Sequence, residues 1–156
     1  MTDREIVARQ IGRTPRAFRA VAVRCPFGRP AVTEQEPFDE SGNPFPTQYW
    51  VTCSYLSAAI ARVEADGGVE RWTRAAHDDP ELARSLDAAN AKQRELRPEL
   101  PSAIGGSLNS VSQTGGSLKC LHAHAAFALA QPGYELGDRI LAELPSLWPA
   151  SCCADL

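Results

Sequence analysis

The sequence predicts an α+β fold: a small N-terminal antiparallel sheet of about three strands packed with four to six helices in a single domain, residues 1–156. Three observations carry this. Three segments between Phe18 and Cys53 read as strands, with apolar side chains alternating along them, whereas the segments after Cys53 repeat at helical spacing. The chain has 156 residues, 44% of them hydrophobic, enough to bury a core without staples. No apolar run reaches the roughly 18 residues of a membrane span, and the charged start, Met1 to Glu5, leads into no signal-peptide core. The expected setting is cytoplasmic, with no membrane.

Thr2-x-x-Glu5 reads as a capping box, and Ile6, Val7, Gln10 and Ile11 follow at helical spacing, so a helix is expected from Asp3 to Ile11. Phe18 to Arg24 reads as a strand, with Val21, Val23 and Cys25 on one face. The Cys25-Pro26-Phe27-Gly28 stretch is a turn. Ala31 to Gln35 and Gln48 to Thr52 make two further strands, the last presenting Tyr49, Val51 and Cys53 together. Leu56, Ala59, Ile60 and Val63 then form a helical stripe that Gly67-Gly68 stops. A short helix is expected over Val69–His77. Asp79-Pro80 starts a longer one, striped by Leu82, Leu86, Ala89, Gln93 and Leu96 and ended by Pro98. Residues 101–117 form a Gly/Ser-rich loop. The Ala/Leu-rich segment Leu118–Ala130 and the segment Gly137–Leu144 complete the helices, before a tail over 145–156. No internal repeat is present.

Sixteen basic against nineteen acidic residues give a net charge of −3, so no nucleic-acid partner is expected. No G-x-S-x-G, H-E-x-x-H, P-loop or EF-hand pattern occurs. The chemistry therefore rests on five cysteines, Cys25, Cys53, Cys120, Cys152 and Cys153, and on His122 and His124 close to Cys120. In a reducing compartment such cysteines pack, bind metal or react as thiols. In an antiparallel meander the first and third strands run the same way, so Cys25 and Cys53 close the same end of the sheet. Cys120 falls in the first turn of its predicted helix, where the helix dipole favours an anionic ligand atom. Residues four apart share a helix face, which sets His124 beside Cys120 and turns His122 away.

These placements suggest a metal site of Cys25, Cys53 and Cys120, with His124, Cys152 or Cys153 as fourth ligand. The imidazoles suit zinc; the separated thiols and the Cys25-Pro26 pair suit an iron–sulfur cluster. A metal-free thiol enzyme is the alternative, with Cys120 as nucleophile and His124 or His122 as base. Arg24, Arg29 and Lys119 flank the cysteines and could hold a small anionic ligand. A third reading is a non-enzymatic interaction module whose amphipathic helices meet a partner.

Three blocks also resemble a known family: Arg24-Cys25-Pro26-Phe27-Gly28-Arg29-Pro30-Ala31-Val32, Pro44-Phe45-Pro46-Thr47-Gln48-Tyr49-Trp50-Val51-Thr52-Cys53, and Lys119-Cys120-Leu121-His122-Ala123-His124. In this order they resemble the actinobacterial family called domain of unknown function 501. The resemblance covers nearly the whole chain. It implies a cytoplasmic setting and, through the genes found near such proteins, a link to cell division. It implies no reaction.

Overall fold

In the computed structural model, residues 1–106, 108 and 116–153 are described. Part of the Gly/Ser-rich loop expected over 101–117, namely 107 and 109–115, and the last three residues of the tail lie outside them.

Helix α1, Asp3–Ile11, begins as its capping box dictates: the Glu5 amide donates to Thr2 Oγ1 at 3.3 Å, and the Thr2 amide donates to Glu5 Oε2 at 2.7 Å. Strands β1 (Phe18–Arg24), β2 (Pro30–Gln35) and β3 (Tyr49–Val51) form an antiparallel sheet in the order β1-β2-β3. Arg24 pairs with Pro30, and Val32 with Val51, so β1 and β3 end on the same side. β2 lies between them and is buried along nearly its whole length, as a central strand covered on both faces must be. β1 keeps polar and small side chains exposed at the edge and carries three register irregularities.

The helices follow. They are α2 (Ser54–Ala65), α3 (Gly68–Asp78), α4 (Pro80–Leu96), the single turn α5 (Ser102–Gly105), α6 (Leu121–Ala130) and α7 (Glu135–Ala142). The α+β expectation holds, with six helices of eight or more residues and one turn among the described residues. Among them no helix is long and apolar enough to cross a membrane. α4 starts where its sequence says, with Asp79 accepting from the Glu81 amide at 2.9 Å and Pro80 in the first turn.

The core is built around α6. It packs on α7, β3, α2 and the remaining two strands. Leu121, Ala123, His124, Ala125, Ala126, Phe127 and Ala128 are all buried, so every face of the helix meets protein. α7 reaches it through Gly137. A Cβ built at Gly137 would lie 2.7 Å from Ala128 Cβ and 2.8 Å from the His124 carbonyl oxygen. Neither neighbour can swing aside.

One boundary differs from the sequence reading in a way that matters for the site. The helix expected from Leu118 begins at Leu121, with Cys120 as its N-cap at φ −49°, ψ 145°. Residues 118 and 119 are held by tertiary bonds instead of helical ones. The Leu118 amide donates to Thr73 Oγ1 at 3.2 Å, the Lys119 amide to the Leu108 carbonyl at 3.4 Å, and Lys119 Nζ to Thr47 Oγ1 at 3.0 Å.

The close approach at Gly137 sets a test. Gly137→Ala forces α7 away from α6, and urea unfolding is expected to register a loss of about 1–3 kcal/mol, the usual range for overpacking. Unchanged stability would mean that the two helices are not held this close.

Candidate functional site

The last turn of α2 and the first turn of α6 meet at Glu64. The first amides of a helix have no partner within it. Cys120 makes no side-chain cap, and Glu64 supplies one from the neighbouring helix: the Leu121 amide donates to Glu64 Oε2 at 2.7 Å. The positive end of the α6 dipole favours a carboxylate there. With Oε2 so fixed, Glu64 Oε1 faces His122 Nδ1 at 3.1 Å. His122 Nε2 lies 3.1 Å from the Ser57 carbonyl of α2 and donates to it, since a carbonyl oxygen can only accept. Ligand atoms of Glu64, His122 and Cys120 all lie within 4.8 Å of one another. Cys120 is exposed, and its sulfur has no hydrogen-bond partner among the described residues.

This geometry poses a chemical question. With Nε2 carrying the hydrogen, Nδ1 of a neutral ring holds a lone pair. That lone pair sits 3.1 Å from a carboxylate oxygen, with an exposed sulfur nearby. Three electron-rich atoms so placed repel unless a cation, a proton or a metal ion, stands among them.

Beside the group lies a cleft of about 170 Å³. Phe45, Tyr49, Trp50 and Ala123 form its apolar walls, and Thr47, Lys119, Cys120 and His122 its polar edge. Two arginines brace the aromatic wall from outside: Arg13 lies over the Trp50 ring at 5.0 Å and Arg16 over Phe45 at 5.3 Å. The loop that carries Thr47 is tied down by Arg97. Its Nη1 donates to the Pro46 carbonyl at 2.9 Å and its Nη2 to the Glu36 carbonyl at 2.7 Å. Lys119 is half-buried, and loss of solvent holds its ammonium below the usual lysine range.

The sequence-predicted ligands are distributed differently. Cys25 and Cys53 do close the same end of the sheet, but neither joins Cys120; among the described residues the metal-competent group is Glu64, Cys120 and His122. Cys25 packs half-buried against the core. Cys53 is buried, with its sulfur 3.8 Å from that of Cys153 in the tail. Burial pushes the Cys53 thiol up. In Cys153 burial acts the same way, but contacts from Ser54, Tyr55 and Cys53 outweigh it and bring the thiol down. Arg24 is committed to Asp3 at 2.7 Å, and of the three cations flanking the cysteines Lys119 is the one that lines the cleft.

His122, and not His124, lies beside Cys120. Because Cys120 is an N-cap with extended backbone, the rule that residues four apart share a face does not reach it. His124 instead points into the core. It is fully buried, and its Nδ1 is hydrogen-bonded to the Tyr134 hydroxyl at 2.7 Å. Its Nε2 makes no hydrogen bond of good geometry among the described residues. Glu64 was not legible as a member of this group, although its sequence carried a signal. An acidic side chain in the last turn of a helix faces the negative end of the dipole and needs a compensating neighbour.

Residues 21–142 match the family described as protein of unknown function (DUF501), and the chain belongs to it. The match contains Glu64, Lys119, Cys120 and His122 but not Cys153. No curated protein and no solved structure matches the chain.

The buried His124 has a consequence for stability. Desolvation, helped by the Lys119 charge, lowers it to about 4 from an ordinary 6.5. The folded state therefore requires the neutral ring, while the unfolded chain takes up a proton once the pH falls below about 6.5. Stability is unaffected above that value and is lost as the pH falls from there toward 4, at about 1.4 kcal/mol per unit. Urea unfolding is expected to lose roughly 2 kcal/mol between pH 7 and pH 5, and His124→Asn to remove most of that slope. An equally steep slope in the variant would assign the effect to another group.

Proposed function

We propose that this member of the DUF501 family is a zinc-binding protein, with Cys120 Sγ, His122 Nδ1 and the Glu64 carboxylate as ligands and a fourth position open to water at the cleft. The observation that carries this reading is the Ser57 carbonyl on His122 Nε2. A backbone acceptor on one ring nitrogen is the outer contact that fixes the tautomer of a metal-ligating histidine and aims its other nitrogen at the ion. The Leu121 amide orients the Glu64 carboxylate in the same way. Bonds of about 2.0–2.3 Å around a tetrahedral zinc keep donor atoms roughly 3.3–3.6 Å apart, close to the 3.1 Å between His122 Nδ1 and Glu64 Oε1. One thiolate, one imidazole and one carboxylate suit zinc; a cluster calls for several thiolates. Three protein ligands with an open position beside a cleft are the pattern of a zinc that polarises a substrate or activates water.

A metal-free thiol enzyme is the second reading. The same three side chains favour it, as Cys120 stands at a helix N-terminus beside a histidine held by a carboxylate. There a proton takes the metal's place, and Cys120 is the nucleophile.

Metal analysis separates the two. After dialysis against a weak chelator, about one zinc per chain is expected. His122→Ala and Cys120→Ser should each weaken zinc binding by more than the roughly 10–100-fold that an outer contact costs, whereas His124→Gln should leave the zinc in place. Glu64→Gln keeps an acceptor for the Leu121 amide and so tests the ligand apart from the cap. Less than about a tenth of a zinc per chain, from zinc-supplemented growth, removes this reading. Alkylation of Cys120 faster than a free thiol in that metal-free protein would establish the second.

A further inference from the structure

We infer that the cleft beside Cys120 binds a small organic acid, its apolar body held between the Phe45–Trp50 wall and Tyr49 and its carboxylate set against Lys119 Nζ. This names the ligand class of the site proposed above and rests on that reading for its role, although binding in the cleft needs no metal.

Size and lining define the apolar half. A cavity of about 150 Å³ takes one benzene, so the 170 Å³ here fits a body of one aromatic ring. Tyr49 and Trp50 come from β3, and Phe45 lies 6.4 Å from Trp50, centroid to centroid. These rings present flat apolar surface, which apolar ligands with one polar end use best.

Lys119 defines the other half. Its ammonium has three hydrogens, and among the described residues it donates one bond, to Thr47 Oγ1. No carboxylate pairs with it among those residues. It is nevertheless half-buried where it lines the cleft. A buried charge is ordinarily paired. The metal would not supply the missing charge, because zinc with one thiolate and one carboxylate is neutral overall. An anionic ligand would pair with Lys119 and present an oxygen to the open coordination position at the same time. Arg13, over the Trp50 ring at 5.0 Å and without an acidic partner among the described residues, adds positive potential near the cleft.

The test uses the whole protein and two probes of equal shape, 3-phenylpropionate and its neutral amide, 3-phenylpropanamide, titrated calorimetrically. Both zinc-loaded and chelator-treated protein are measured. The acid is expected to bind at least about tenfold more tightly than the amide. Lys119→Met, checked for an unchanged unfolding midpoint, should erase that preference and leave amide binding where it was. Trp50→Ala should weaken both probes. Equal binding of acid and amide, or no acid binding at about 10 mM, overturns the inference whatever the zinc content. An acid preference that survives in a protein found to hold no zinc upholds the ligand and refutes the metal. A full complement of zinc without acid preference does the reverse.

Discussion

Much of this fold answers to one constraint: α6 is buried along most of its length, so its unpaired terminal amides must be satisfied by groups from elsewhere. Glu64 meets that need at the N-terminus and in doing so fixes the site. Its Oε2 accepts the Leu121 amide, which turns Oε1 toward His122. The same α2 helix presents the Ser57 carbonyl to the other ring nitrogen. Two elements from distant parts of the sequence thus hold three donor atoms in place as a by-product of capping a core helix. A site on such a base has little freedom to drift, because its supporting bonds belong to the core.

Local signals were the most legible. α1, β1 and α4 begin and end where Thr2, Glu5, Asp79, Pro80 and the strand alternation say, because capping and pleating depend on neighbours in sequence. The meander and the shared end of Cys25 and Cys53 followed from alternation and strand number. The start of α6 did not follow. An Ala/Leu-rich run after glycines reads as helix from Leu118, yet Thr73, Leu108 and Thr47 draw residues 118 and 119 out into extended backbone. That three-residue shift makes Cys120 an N-cap. It also moves the imidazole beside the sulfur from His124 to His122. The partner that completes the group, Glu64, lies 56 positions before Cys120, where spacing arguments have no reach.

His122 and His124 show how far two neighbours on one helix can be separated chemically. About 200° of helical rotation divides them. One is partly exposed, with a carbonyl and a carboxylate on its two nitrogens. The other is enclosed with Tyr134, Phe127 and Gly137 around it and must stay neutral. The core histidine contributes shape and one hydrogen bond. The outer one keeps the polarity that a binding site needs.

The two cations at the Pro46-Thr47 turn, buried Arg97 and half-buried Lys119, make the final contrast. Arg97 has carbonyl oxygens of Pro46 and Glu36 close on its guanidinium, which fixes the turn, while its buried Nε is left without a partner among the described residues. Lys119 donates to the Thr47 side chain of the same turn, its one side-chain hydrogen bond among the described residues. Were its role only to hold the turn, backbone carbonyls would serve it better, as they serve Arg97. A cation desolvated without full compensation lowers the stability of the fold, and such groups cluster where binding later makes good the loss. The turn is therefore held at Pro46 by two arginine bonds shared with Glu36. At Thr47 it carries a cation with ammonium hydrogens to spare that lines the cleft, next to the donor atoms of Glu64, Cys120 and His122.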